Sequence, residues 1–146
     1  MRTLLTAAFL LMISSAASAQ IMEMNGTWKL NPERTLGPAP KVETLVYTIT
    51  PGEQAYTMDS TEADGSKLHI EWAAKYDGND QPTAGNPGVT VALQKLDGHT
   101  ELVTNKRNGK ITSTYTRVLV DDNKTIMSIG RDAASKVIWV RVFEKQ

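Results

Sequence analysis

The run Val137 to Lys145, V-I-W-V-R-V-F-E-K, constrains this chain more than any other stretch. It is rich in β-branched and aromatic residues, and as the last strand it must either find a partner or stand as an exposed edge. An unpaired apolar edge templates aggregation, and closing the sheet on itself removes it. Gly26-Thr27-Trp28, which opens the first strand, is the available partner. The two stretches are expected to form the seam of a small closed β-barrel.

The intervening chain reads as strand, turn, strand. Thr27–Leu30 opens it, and Asn31 to Lys41 is a linker whose Pro32, Gly37, Pro38 and Pro40 cannot hold a stable helix. Val42–Thr50, Ala55–Glu62, Lys67–Lys75, Val89–Leu96, Thr100–Lys106, Lys110–Val120, Lys124–Ile129 and Val137–Lys145 complete nine strands. Asp64-Gly65, Asp97-Gly98 and Asn108-Gly109 are hairpin turns, because primed turns need positive φ at their central residues. Asp121–Asn123 is a further turn, and Asp77 to Gly88 a long loop too dense in Gly, Pro and Asn for regular structure. The fold class is all-β, an up-and-down antiparallel barrel of about nine strands.

The first nineteen residues read as an export signal. Arg2 is the positive start, Leu4 to Ile13 the apolar stretch, and Ala17-Ser18-Ala19 the cleavage site. Cleavage after Ala19 leaves residues 20–146 as one domain, periplasmic or secreted, with no cysteine for a lipid anchor or a disulfide. The sequence carries 16 basic and 16 acidic residues, so removing Arg2 leaves a net charge of about −1. That balance offers no basic surface for phosphates and argues against a nucleic-acid partner.

Alternation sorts the strand faces. Leu68, Ile70, Trp72, Ala74 and Tyr76 share one face, with Lys67, His69, Glu71 and Lys75 opposite. Leu45, Tyr47 and Ile49 share another, and Ile111, Ser113, Tyr115, Arg117 and Leu119 a third. In the last strand Val137, Trp139, Arg141 and Phe143 lie together, while Ile138, Val140 and Val142 make the other side apolar too, which asks for cover. Arg117 and Arg141 thus fall among aromatic and apolar residues, where a cation is costly unless something negative meets it. One reading is an internal pair gripping the carboxylate of an apolar ligand. The other is that one or both face outward, or that one stacks on the Trp28 ring.

Several of these residues carry a resemblance. Gly26-Thr27-Trp28-Lys29-Leu30 resembles the opening strand of the calycins, above all the intracellular fatty-acid-binding proteins. Asn108-Gly109-Lys110, Thr116-Arg117-Val118 and Val140-Arg141-Val142-Phe143-Glu144-Lys145 resemble that family's close. The resemblance implies a fatty-acid carboxylate held by an arginine on a late strand and an R-x-Y pair on the last, matched here by Arg117, Arg141 and Phe143. Phe143 departs from the pattern by lacking the tyrosine hydroxyl, and the linker from Asn31 is too short for the family's helical lid. Tyr76-Asp77-Gly78, Ala84-Gly85-Asn86-Pro87 and Glu144-Lys145-Gln146 are similar to segments of small exported lipocalin-like proteins of bacteria.

Nothing in the sequence points to catalysis, a metal or a cofactor. His69 and His99 lack companions at ligand spacing, and there is no nucleophile elbow, phosphate loop or H-E-x-x-H. An isomerase or cyclase would need an internal acid, for which Asp59 and Glu62 are the candidates. The expected function is binding of a small hydrophobic, fatty-acid-like ligand by Arg117, Arg141, Phe143, Tyr115, Trp139, Tyr47 and Trp72. The alternative is a filled barrel acting on an envelope protein partner through its long loop.

Overall fold

The computed structural model describes residues 21–120 and 123–146. The proposed export signal and most of the Asp121–Asn123 turn lie outside the described residues. Among the described residues ten antiparallel strands form one sheet: β1 (Gly26–Leu30), β2 (Val42–Ile49), β3 (Glu53–Thr61), β4 (Lys67–Lys75), β5 (Gln81–Pro82), β6 (Val89–Lys95), β7 (Thr100–Arg107), β8 (Lys110–Leu119), β9 (Thr125–Asp132) and β10 (Val137–Lys145). Each pairs with its sequence neighbour except at two places. β10 pairs with β1, and the paired order breaks between β4 and β5.

The expected seam is present. Trp28 lies opposite Lys145, and Leu30 opposite Phe143. Beyond Leu30 the linker continues along the same edge, Asn31 N–H donating to Val142 O and Leu36 exchanging both backbone bonds with Val140. Asn31 also caps the short 3-10 turn Pro32–Arg34, accepting from the Glu33 and Arg34 N–H groups. The linker thus lengthens the seam that the five-residue β1 is too short to close alone.

The tenth strand is β5, a two-residue piece inside the loop expected to be irregular. It pairs with β6, and Thr83 bridges to Trp72 of β4. Proline is tolerated there because the piece is an edge. These few bonds almost close the gap between β4 and β6, leaving a nearly closed barrel.

Interior residues follow the predicted alternation except near register shifts, where Val137 and Ile111, expected on the inward faces, are exposed. Leu45, Tyr47, Ile49, Tyr56, Met58, Trp72, Val91, Leu93, Val103, Leu119, Ile126 and Phe143 form the core. Trp28 is fully buried and donates its indole N–H to Met24 O at 2.7 Å. Ile21 and Met24, both fully buried, pack into this core, and Asn25 ties the segment to Ile49 through two hydrogen bonds. At the Asn108-Gly109 turn both residues have positive φ, +50° and +77°, as a primed hairpin requires.

Candidate functional site

Because neighbouring strands are antiparallel and in register, inward side chains form rows around the barrel. One row runs Glu101, Arg117, Ser128, Arg141 across β7, β8, β9 and β10. The next runs Val103, Tyr115, Gly130, Trp139. Opposite them, Tyr47, Tyr56 and Trp72 form a row across β2, β3 and β4. The rows face each other over a cavity of about 210 Å³.

Both arginines point inward, which removes the alternative that one or both face outward. Arg117 is 3% exposed, and its guanidinium carbon lies 4.5 Å from the Tyr56 ring centroid and 5.4 Å from that of Tyr47. Arg141 lies 4.4 Å from the Trp139 ring centroid. The cation over Trp28 is instead Lys145, at 5.4 Å. Two β-strand spacings, about 10 Å, separate the backbones of Arg117 and Arg141, with Ser128 between them.

Each arginine already has a carboxylate. Arg117 Nη1 donates to Glu101 Oε1 at 3.2 Å, and Arg141 Nη1 to Glu43 Oε2 at 2.6 Å. Glu101 is fully buried and also accepts from Gln54 Nε2 at 3.5 Å, while Gln54 in turn accepts from the Tyr76 hydroxyl at 2.8 Å. Burial pushes both carboxyls above their usual range, Glu101 against the pull of Arg117 and Glu43 against that of Arg141. Burial also works against the Arg117 charge, but Tyr47, Tyr56 and Glu101 outweigh it and hold its pKa above the ordinary arginine value. Four buried atoms have no hydrogen-bond partner among the described residues: Tyr47 Oη, Thr90 Oγ1, Glu101 Oε2 and Arg141 Nε.

Of the seven residues predicted from sequence, Arg117, Arg141, Phe143, Tyr115, Trp139 and Trp72 line the cavity. Tyr47 does not; it is buried behind Arg117, part of the aromatic wall that holds that side chain. Glu43, Tyr56, Ser128 and Asn105 also line the cavity and were missed. Alternation carried the signal for Glu43, which shares parity with Leu45 and Tyr47, and for Tyr56 in the same way. Nothing in the sequence tied Glu43 to Arg141, ninety-eight positions away. Of the two candidate acids, Asp59 faces outward and pairs with the exposed His69 at 2.7 Å, whereas Glu62 lines the cavity.

Trp139 reaches its place because Gly130 leaves room. A Cβ at Gly130 would collide with the indole Cε2, and a bulge between Val137 and Trp139 adjusts the register beside it. Tyr115 and Trp139 meet over that glycine with ring centroids 5.3 Å apart.

Crystal structures of two single-site mutants of the fluorescent protein UnaG share this fold, with TM-scores of 0.61 and 0.59 at 16% and 15% identity. Each likeness covers 86% of this chain, and 98% and 97% of the UnaG chains. Zebrafish ileal bile acid-binding protein, crystallised with cholic acid, gives a TM-score of 0.55 at 10% identity over 85% of this chain and 99% of its own. No protein-family model matches the sequence, and no curated protein matches it. At such identities the likeness carries the fold alone, and that fold is a calycin-like barrel.

Proposed function

We propose that the protein is an exported binding protein for a small apolar or amphipathic ligand held inside its barrel, and that it acts by binding rather than catalysis. One observation carries the reading: two inward arginines and five aromatic residues converge on one interior cavity. The wall combines apolar and aromatic side chains with placed polar and charged groups, the kinds of side chain that orient a small molecule in its site. The zebrafish neighbour crystallised with cholic acid supports the same class of ligand. Arg2, the apolar stretch and Ala17-Ser18-Ala19 support export to the periplasm or beyond, as does the similarity to exported bacterial lipocalin-like proteins. The test is native mass spectrometry of freshly purified protein, followed by titration of the delipidated protein with the apolar fluorophore N-phenylnaphthylamine. Saturable one-to-one binding displaced by a fatty acid is expected; a ligand-free preparation with no saturable signal ends the reading. The mass of the exported chain is expected to begin at Gln20.

A second reading is favoured by a specific observation. The cavity of about 210 Å³ lies below the ~300–1,000 Å³ usual for small-molecule sites, and its charges are already paired internally. A barrel filled in this way would serve as an interaction module for an envelope protein, presenting the segment around β5. Cross-linking from Gln81 in envelope preparations separates the two: one discrete protein adduct with no extractable ligand supports the module.

A further inference from the structure

Both arginines at the cavity are paired with a carboxylate before any ligand enters. Arg141 pairs with Glu43 and Arg117 with Glu101, and Glu62 adds another carboxylate in the wall, held by Ser60 Oγ at 2.5 Å. At formal charge these five groups comprise two cations and three anions. A carboxylate ligand would either break an ion pair, leaving a buried glutamate alone, or stand as a further negative charge in a poorly solvated space. The structure also offers a donor that lacks an acceptor. Arg141 Nε is buried with no acceptor among the described residues, on a guanidinium held over Trp139. Leaving such a donor unmade is costly, and a ligand oxygen would remedy it.

We infer that the cavity takes a short amphipath whose head group is uncharged and accepts a hydrogen bond, and that a carboxylate enters only together with one proton. An alcohol, an amide or an undissociated acid fits this description. The inference rests on the binding reading above, and it reverses the expectation that two arginines grip a carboxylate anion. The proton resides either on the ligand carboxyl or on Glu43. The charged and titratable groups around Glu43 are Arg141 from β10, Arg117 from β8, Tyr47 on its own strand, Tyr56 from β3 and Glu62 just after β3, with Tyr115 of β8 in the same cavity wall. The cavity residues contributed by β4, β7 and β9, such as Ile70, Asn105 and Ser128, carry no titratable side chain. Burial favours the protonated form of Glu43, with Arg141 opposing it.

The experiment is calorimetric titration of the delipidated protein with octanol and with octanoate between about pH 6 and about pH 8. Octanol affinity is expected to be flat with pH. Octanoate affinity is expected to fall about tenfold for each pH unit, with uptake of one proton read from the dependence of the heat on buffer ionisation. Glu43→Gln removes one negative charge, so octanoate is expected to bind that variant more tightly and with a flatter profile. The wild-type measurements stand by themselves if the variant does not fold. Octanoate binding the wild-type protein as tightly as octanol, with no proton uptake, overturns the inference and leaves the binding reading intact. No saturable binding of octanol, octanoate or the naphthylamine fluorophore overturns the binding reading, and this inference with it.

Discussion

Arg117 shows what a single inward residue demands of its surroundings. A guanidinium at 3% exposure persists because Glu101, Tyr47, Tyr56 and Trp72 surround it with opposite charge and ring faces. Truncating one partner of a buried pair is far costlier than replacing both. Arg117→Ala is therefore expected to destabilise by ~3–5 kcal/mol in urea unfolding, while the double variant Arg117→Met, Glu101→Leu is expected within ~2 kcal/mol of wild type or above it. Equal losses for the two would show that the pair itself contributes net stability. The raised carboxyls set the pH dependence. A folded carboxyl above its unfolded value means that the folded protein binds more protons, so stability falls as pH rises from about 4.5 through the folded value. Glu101→Gln is expected to flatten that decline. His69 adds to the same trend at higher pH: Asp59 raises its pKa above the ordinary 6.5, and its stabilisation is present below that value and lost as pH rises through the folded one. An NMR titration of Asp59→Asn is expected to return the His69 midpoint toward 6.5.

At the scale of elements, the fit between β8, β9 and β10 depends on a missing side chain. Gly130 sits between Tyr115 and Trp139 and gives its volume to the indole. Gly130→Val is expected to cost about 1–3 kcal/mol by overpacking and to expose Trp139, read as a red shift in its fluorescence. An unshifted spectrum would mean that the indole is not held there. Alternation placed Trp139 on one face with Arg141 and Phe143, but Gly130 sat in what reads as a loop after Ile129. The strand runs on to Asp132 because Arg131 pairs with Val137 and Thr114, and Asp132 with Ser113. The linker is the second such element. Its prolines argued against a helix, and it holds one 3-10 turn at Pro32–Arg34, while its pairing with Val140 and Val142 depends on β10 lying beside it, a contact more than a hundred positions away. Asn31→Ala removes the cap of the 3-10 turn and the bond to Glu144, and is expected to cost about 0.5–2 kcal/mol while speeding amide exchange at Leu36 and Val142.

At the scale of the whole molecule, the barrel is closed firmly on one side and loosely on the other. The β1–β10 seam is a paired ladder extended by the linker, whereas β4 meets the far side of the sheet through little more than the Trp72–Thr83 bridge and the bond from Ala84 N–H to Glu71 O. Hydrogen exchange is expected to be faster along β4 and β5 than along β8, β9 and β10, since a strand bonded on one edge opens at lower free energy. Uniform protection across all ten strands would show that the gap is as well closed as the seam.

The sequence by itself determined the alternation of inward and outward residues, the hairpin turns and the pairing of the first strand with the last, because each is written in periods of two or in local φ requirements. Arg117 was therefore legible on one face with Tyr115 and Leu119, and Arg141 on one face with Trp139 and Phe143, but alternation left open whether those faces point inward. Tertiary structure alone decided that Glu101 and Glu43 meet those arginines, that Gly130 makes room for Trp139, and how much empty space remains. Those are relations between strands brought side by side by closure of the sheet, and charge balance and cavity volume exist only after that closure has set their distances.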